Sequence, residues 1–262
     1  EISRSMRPKL LRRHLRDLQG QLATRLPGLR DATDPEALHD VRVLLRRLRA
    51  LLRPISQRSA IQPLYQLTGE VLTASGPLRD LDVLAADLAA HRRGGVARQR
   101  LAARGDLLTA VVGGHAFSAL QERVQADAPL LKASALPSRR KLETRIAERL
   151  TRERDTLGAR LADPEADLHR LRLDIKHLRY QLEAQDAPGR AARRLCALLV
   201  KAQGVLGDWH DRELWIQRAG VEADLAYCRT RWEREHTALG QAIVPLLAPV
   251  ADKMLGELLP PG

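Results

Sequence analysis

The stretch LHDVRVLLRRLRALLR, Leu38 to Arg53, carries two periodicities at once. His39, Arg42, Arg46, Arg49 and Arg53 follow one another at spacings of 3, 4, 3 and 4. At about 100° per residue they fall within a sector roughly 80° wide on one helix. Leu38, Val41, Leu45, Leu48 and Leu52 form a second stripe about 100° further round. The apolar stripe reads as a core seam. Upstream, Asp34 is a natural N-cap, Pro35 suits the first helical position and Glu36 suits the positive helix end. Pro54 stops the helix.

The same pattern recurs. DPEALHDVRVLLRRLRALL is matched by DPEADLHRLRLDIKHLRYQLE, with Leu38 on Leu168, His39 on His169, Arg42 on Arg172, Arg46 on Lys176 and Arg49 on Arg179. The offset is 130 residues, about half the chain. A second pair of segments aligns at offset 131: SGPLRDLDVL with LGDWHDREL, placing Gly76 on Gly207, Arg79 on His210, Asp80 on Asp211 and Asp82 on Glu213. The chain therefore reads as a tandem duplication. Each half is long enough for a four-helix bundle.

Composition agrees. The 262 residues are 44% hydrophobic and 29% charged, as in a globular protein. Leu, Ala and Arg dominate and aromatics are few, which favours helix. Proline and glycine punctuation predicts helices near 5–26, 35–53, 63–74, 77–92, 96–126 (interrupted by Gly105 and Gly113-Gly114), 138–161, 164–185, 189–206, 208–226 and 229–256. No strand is expected. The fold class is all-α, with a first half at 5–130, a linker at 131–137 and a second half at 138–256. No apolar run approaches the length of a membrane span, and EISRSMRPKL lacks a signal-peptide core. Cys196 and Cys228 form no CxxC, which points to a reducing, cytoplasmic setting.

The formal charge of +12 points to an anionic partner. A solvated helix face is the plainer reading of the basic stripe. Such faces normally mix signs, however, because like charges at i,i+4 repel by about 0.2–0.5 kcal/mol per pair. The copies differ at Asp40/Arg170, Leu44/Asp174 and Ala50/Tyr180 yet keep the basic spacing. In the second copy the stripe ends one step earlier, at Glu183. Guanidinium forks match phosphate oxygens, and a stripe rising about 5 Å per turn suits an elongated polyanion.

Four segments, LHDVRVLLRRLRALL, GPLRDLDVL, LHRLRLDIKHLRYQLE and KAQGVLGDWHDRE, resemble the CHAD domain, the conserved histidine α-helical domain, in the family's order and spacing. The resemblance covers nearly the whole chain. It implies two bundles related by a pseudo-two-fold axis, forming one helical domain with a basic central channel. It also implies inorganic polyphosphate as ligand, with association with polyphosphate granules as a corollary. Carried over by position, the anion-binding candidates are His39, Arg42, Arg46, Arg49, His169, Arg172, Lys176 and Arg179, with Arg79 and Lys201 as further basic matches. Arg53 extends the stripe by spacing alone. His210 departs from the family, which usually has a short polar residue there. The triphosphate-tunnel domain that often accompanies the family is a β-barrel, and no strands are predicted here.

The acidic residues have two readings. Asp80, Asp82, Asp208, Asp211 and Glu213 could form a metal pair for phosphate hydrolysis. Alternatively, Asp80 and Asp211 accept from nearby arginines or cap a helix, which is the preferred reading. No catalytic residue, metal site or cofactor is expected, and the chain reads as a binding module. A polyphosphate-processing enzyme and a non-specific nucleic-acid binder are the alternatives; no recognised nucleic-acid motif is present. The tryptophans read as packing residues, and HRRGGVARQR (91–100) as a solvated loop or an accessory anion contact.

Overall fold

The computed structural model describes residues 7–30, 34–163, 165–184 and 189–256. Among these the regular structure is helical, with no strand. The chain divides into two compact units, the first ending at Arg145 and the second starting at Ile146.

The first unit holds α1 (Pro8–Arg25), α2 (Pro35–Leu52), α3 (Gln62–Ala74), α4 (Gly76–Ala90), α5 (Gly94–Ala102), α6 (Arg104–Val112) and α7 (His115–Gln125). The unit boundary falls within α8 (Arg139–Leu161), and the second unit continues with α9 (Leu168–Glu183), α10 (Arg190–Ala219) and α11 (Arg229–Gly256). The predicted seam is core. Leu38, Val41, Leu45, Leu48 and Leu52 are each 1% exposed or less. In the second unit Leu171, Ile175, Leu178 and Leu182 pack with Leu195, Leu199 and Leu206 of α10 and Ile243 and Val250 of α11.

The segment expected as a linker at 131–137 is packed instead. Leu130, Leu131, Ala135 and Leu136 are buried. Gln19 Nε2 donates to the carbonyls of Ala126 and Ala128, and its Oε1 accepts from the Leu130 amide at 3.1 Å. Arg58 Nε donates to the Ala135 carbonyl at 2.9 Å. Leucines and side-chain hydrogen bonds reached from far along the chain outweigh the turn-rich composition.

The copies also differ in where their helices begin and break. Asp34 caps α2 by accepting from the Glu36 amide at 2.8 Å, and Asp163 makes the same turn with the Glu165 amide at 3.0 Å. The second copy carries one inserted residue, Asp167, which accepts from the His169 amide and becomes the N-cap of α9. The helix therefore starts at Leu168, not at 164 as expected. Conversely, the expected break after 206 is absent, and α10 runs unbroken through Gly207. In the first copy Pro77 lacks the amide that a continuous helix needs, so α3 and α4 part at Ser75. Asp208 stands at that place in the second copy and donates normally.

The tryptophans join α10 to α11. Trp215 and Trp232 lie 5.4 Å apart, ring centre to ring centre, and Trp209 stacks on His236 at 4.8 Å. Arg212 and Arg231 close the same seam by donating to Glu235 at 2.7 and 2.9 Å. Burial raises the proton affinity of Glu235, but the two arginine hydrogen bonds outweigh it and hold the carboxyl below its ordinary range.

A Cβ at Gly207 would meet no neighbouring atom. With α10 continuous, Gly207→Ala is expected to stabilise the protein by about 0.5–1 kcal/mol. Urea denaturation followed by circular dichroism reads this; a destabilised variant would restore the break after 206.

Candidate anion-binding site

In the first unit the basic face of α2 lies against α3. Arg42 Nη1 donates to the Leu72 carbonyl at 2.6 Å and to Ser75 Oγ at 2.5 Å. Two turns along, Arg49 donates to the Tyr65 carbonyl, and its guanidinium lies 3.9 Å from the centre of the Tyr65 ring. Gly69 makes room, since a Cβ there would collide with that guanidinium. The Arg49 contacts are all with neutral groups, so they orient the charge without cancelling it. Between these two, Arg46 is half-buried. Among the described residues no group pairs with the side chains of Arg46, His39 or Arg79. Arg53 ends α2 and opens a 3-10 turn, and it is also half-buried.

In the second unit α9 lies along α10, which brings His210 beside His169 and Arg172 and, fourteen residues earlier, Cys196 beside Arg179 and Glu183. The His169 and His210 rings stand 4.9 Å apart. Burial pushes the His210 imidazole below the ordinary histidine range, and the positive charges of Arg172 and His169 push it further. Glu213, 3.5 Å from His210 Nδ1, pulls the other way and loses. This end of the stripe is electropositive. At the other end the sign changes. Arg179 pairs with Glu183 at 3.4 Å and lies over the Tyr180 ring at 4.5 Å. Burial raises the Cys196 thiol, and Glu183 raises it further than Arg179 can lower it. Lys176 lies mid-helix between these ends and is half-buried.

Lys201 is not brought to this stripe. It is exposed on the far side of α10, in a groove shared with Arg194, Leu198, Pro249 and Lys253. The spacing that places Cys196, Gln203 and His210 on one line puts residue 201 roughly opposite.

The acidic residues have separate employments. Asp82 is buried and accepts from Arg104 Nε at 2.7 Å. Arg104 Nη2 reaches on to the carbonyl of Asp34, the N-cap of α2, at 3.3 Å. This buried pair thus ties α4 and α6 to the start of the stripe helix. Asp80 and Asp208 are exposed, and Asp211 is half-buried. Among the described residues no group of three or more His, Cys, Asp or Glu side chains could hold a metal ion. In the 91–100 stretch, Arg92 and Arg93 are exposed at the turn after α4, where Arg92 adopts φ of 61°.

Sequence reasoning missed Tyr65, Gly69, Ser75 and Arg104. Tyr65 had a signal: carried upstream, the offset of 131 sets it on Cys196, which in the second unit lies beside Arg179.

The CHAD-domain family model matches residues 9–220, most of the chain. The chain belongs to the CHAD-domain family. This CHAD chain is also similar in fold to the crystal structure of the CHAD domain from the plant Ricinus communis. The TM-score is 0.67 at 20% identity, over 96% of this chain and 93% of that one. No curated protein sequence matches it.

Removing one partner of a buried ion pair leaves the other charge uncompensated, at about 3–5 kcal/mol. Asp82→Ala is therefore expected to lower the unfolding free energy read from urea denaturation by an amount in that range, while Asp80→Ala leaves it nearly unchanged. Equal effects of the two would remove the structural role assigned to Asp82.

Proposed function

We propose that this protein binds inorganic polyphosphate through the basic stripes of α2 and α9, as a binding module and not as an enzyme. The observation that carries this reading is the state of the stripe cations. Arg49 is oriented by a carbonyl and an aromatic ring, and Arg46 has no partner among the described residues. Half-buried guanidinium groups held this way, in a row, are prepared for an anion that supplies the missing charge. Membership of the CHAD family supports polyphosphate as that anion. His39, Arg42, Arg46, Arg49, Arg53 and Arg79 serve the first unit. His169, Arg172 and Lys176 serve the second, with Arg179 shared with Glu183.

Binding is favoured over hydrolysis by the acidic residues. Asp82 is committed to Arg104, Glu213 faces His210, and among the described residues no group of three or more His, Cys, Asp or Glu side chains could hold a metal ion. A cytoplasmic protein is the matching setting, since both cysteines are free thiols. No helix of the described residues is long and apolar enough to cross a membrane.

Many weak contacts share one ordering cost, so long-chain polyphosphate is expected to bind far more tightly than pyrophosphate, and less tightly as salt rises. Arg46→Ala and Lys176→Ala are each expected to weaken it by roughly 1–3 kcal/mol. The double variant should lose most binding with its circular dichroism intact. Titration of long-chain polyphosphate against these variants reads the result, with duplex DNA as competitor and orthophosphate release in Mg²⁺ or Mn²⁺ as the assay for turnover. Unchanged affinity in the double variant returns the stripe to a solvated face. Efficient displacement by DNA favours a nucleic-acid binder, and orthophosphate release lost in Asp80→Asn favours an enzyme.

A further inference from the structure

The two copies differ at one position beside the stripe. Arg79, charged at every accessible pH, stands in the first copy where His210 stands in the second. His210 is half-buried on α10 with its ring 4.9 Å from that of His169, and Arg172 is one turn along α9 from His169. Protonating both imidazoles in the free protein would crowd three like charges together.

The groups around His210 can be named. From α9 it is faced by His169 and Arg172, and on its own helix by Glu213. Arg212 is turned to Glu235 and the Trp215 ring. On α11, Arg231 pairs with Glu235, and His236 stacks on Trp209. The turn at 223–228, which carries Asp224, follows α10 beyond Ala219, nine residues or about 14 Å along the helix from His210. On α8, Arg160 is taken by Asp174 and Arg149 by Glu153. The free site therefore has two arrangements of charge, separated by a proton from solvent.

We propose that a phosphate chain entering the second unit takes up a proton on the His169–His210 pair, so that this unit grips its anion more tightly as the pH falls. The inference rests on the polyphosphate reading and adds regulation to it. Burial first, and then the neighbouring Arg172 and His169, lower the proton affinity of the His210 imidazole in the free protein. An adjacent row of phosphates reverses that field and favours the imidazolium. The added proton has a place to go: Glu213 Oε2 lies 3.5 Å from Nδ1, which leaves Nε2 to donate to the anion. The sign follows. Proton affinity is lowered in the free state and raised in the bound state, so binding strengthens as pH falls through the bound-state value. It levels off below the free-state value. One proton gives at most about tenfold in affinity per pH unit.

The test is calorimetry with long-chain polyphosphate at pH 6.0, 6.8 and 7.5, in buffers of different ionisation heat, on the wild type, His210→Gln and His210→Arg. The wild type is expected to take up protons and to bind several-fold more tightly at pH 6.0 than at 7.5. His210→Arg should bind at pH 7.5 nearly as well as the wild type does at 6.0, with a flatter profile. His210→Gln should flatten the profile without the gain. Variants as steep as the wild type would overturn the proposal while leaving polyphosphate binding intact; no binding at any pH would overturn both. Should the variants misfold, proton NMR titration of His210 in the wild type, with and without polyphosphate, decides. A proton affinity that does not rise on binding ends the proposal.

Discussion

Two stripes share α2, and burying one aims the other. The five seam residues from Leu38 to Leu52 are sealed in the core, and each such side chain contributes about 1.5–3 kcal/mol. The basic stripe beside them costs only about 0.2–0.5 kcal/mol for each like-charged neighbour pair. The seam wins by a wide margin. A helix anchored so firmly can hold a row of cations side by side, among them Arg49, whose contacts are with a carbonyl and a ring. Arg42 on Leu72 and Ser75, and Arg49 on Tyr65, then set the guanidinium directions with neutral groups.

Much of this was legible in the chain. Helix α2, its Asp34 cap, the leucine seam and its repeat in α9 follow from period and capping chemistry, because the information is local. The remainder depended on contacts or on single residues. One inserted residue, Asp167, moved the start of α9 by a turn. Asp208 in place of Pro77 turned an expected break into a continuous helix, because a lone glycine weakens a helix where a proline ends one. The packed stretch at 131–137 is held by Arg58, and the residues just before it by Gln19, each from more than 75 residues away, and no window of sequence contains that. Lys201 was assigned by resemblance alone, and helical phase takes it to the far side of α10.

The acidic motif shows how a repeat can keep a residue class and change its work. Asp82 and Glu213 occupy matching places. Asp82 has sunk into a buried pair with Arg104 that braces the N-cap of α2. Glu213 stays at the surface edge of the site, beside a histidine. The partner decides the role, and Arg104 has no spacing relation to Asp82 that a motif could reveal. The motif that invites a metal in the sequence is, in the first unit, a brace.

The second copy has also divided its charge. Along α10, two titratable side chains sample the field of α9 at opposite ends. At His210 the field is positive, set by Arg172 and His169. At Cys196, Glu183 outweighs Arg179. The first copy carries Arg53 where the second carries Glu183, and Arg79 where the second carries His210. Both replacements act in the same direction. They remove fixed positive charge from the second unit, one by an opposing carboxylate and one by a residue that is charged only when protonated. At these two matching positions the second unit carries less fixed positive charge than the first, while the leucine seam is kept in both.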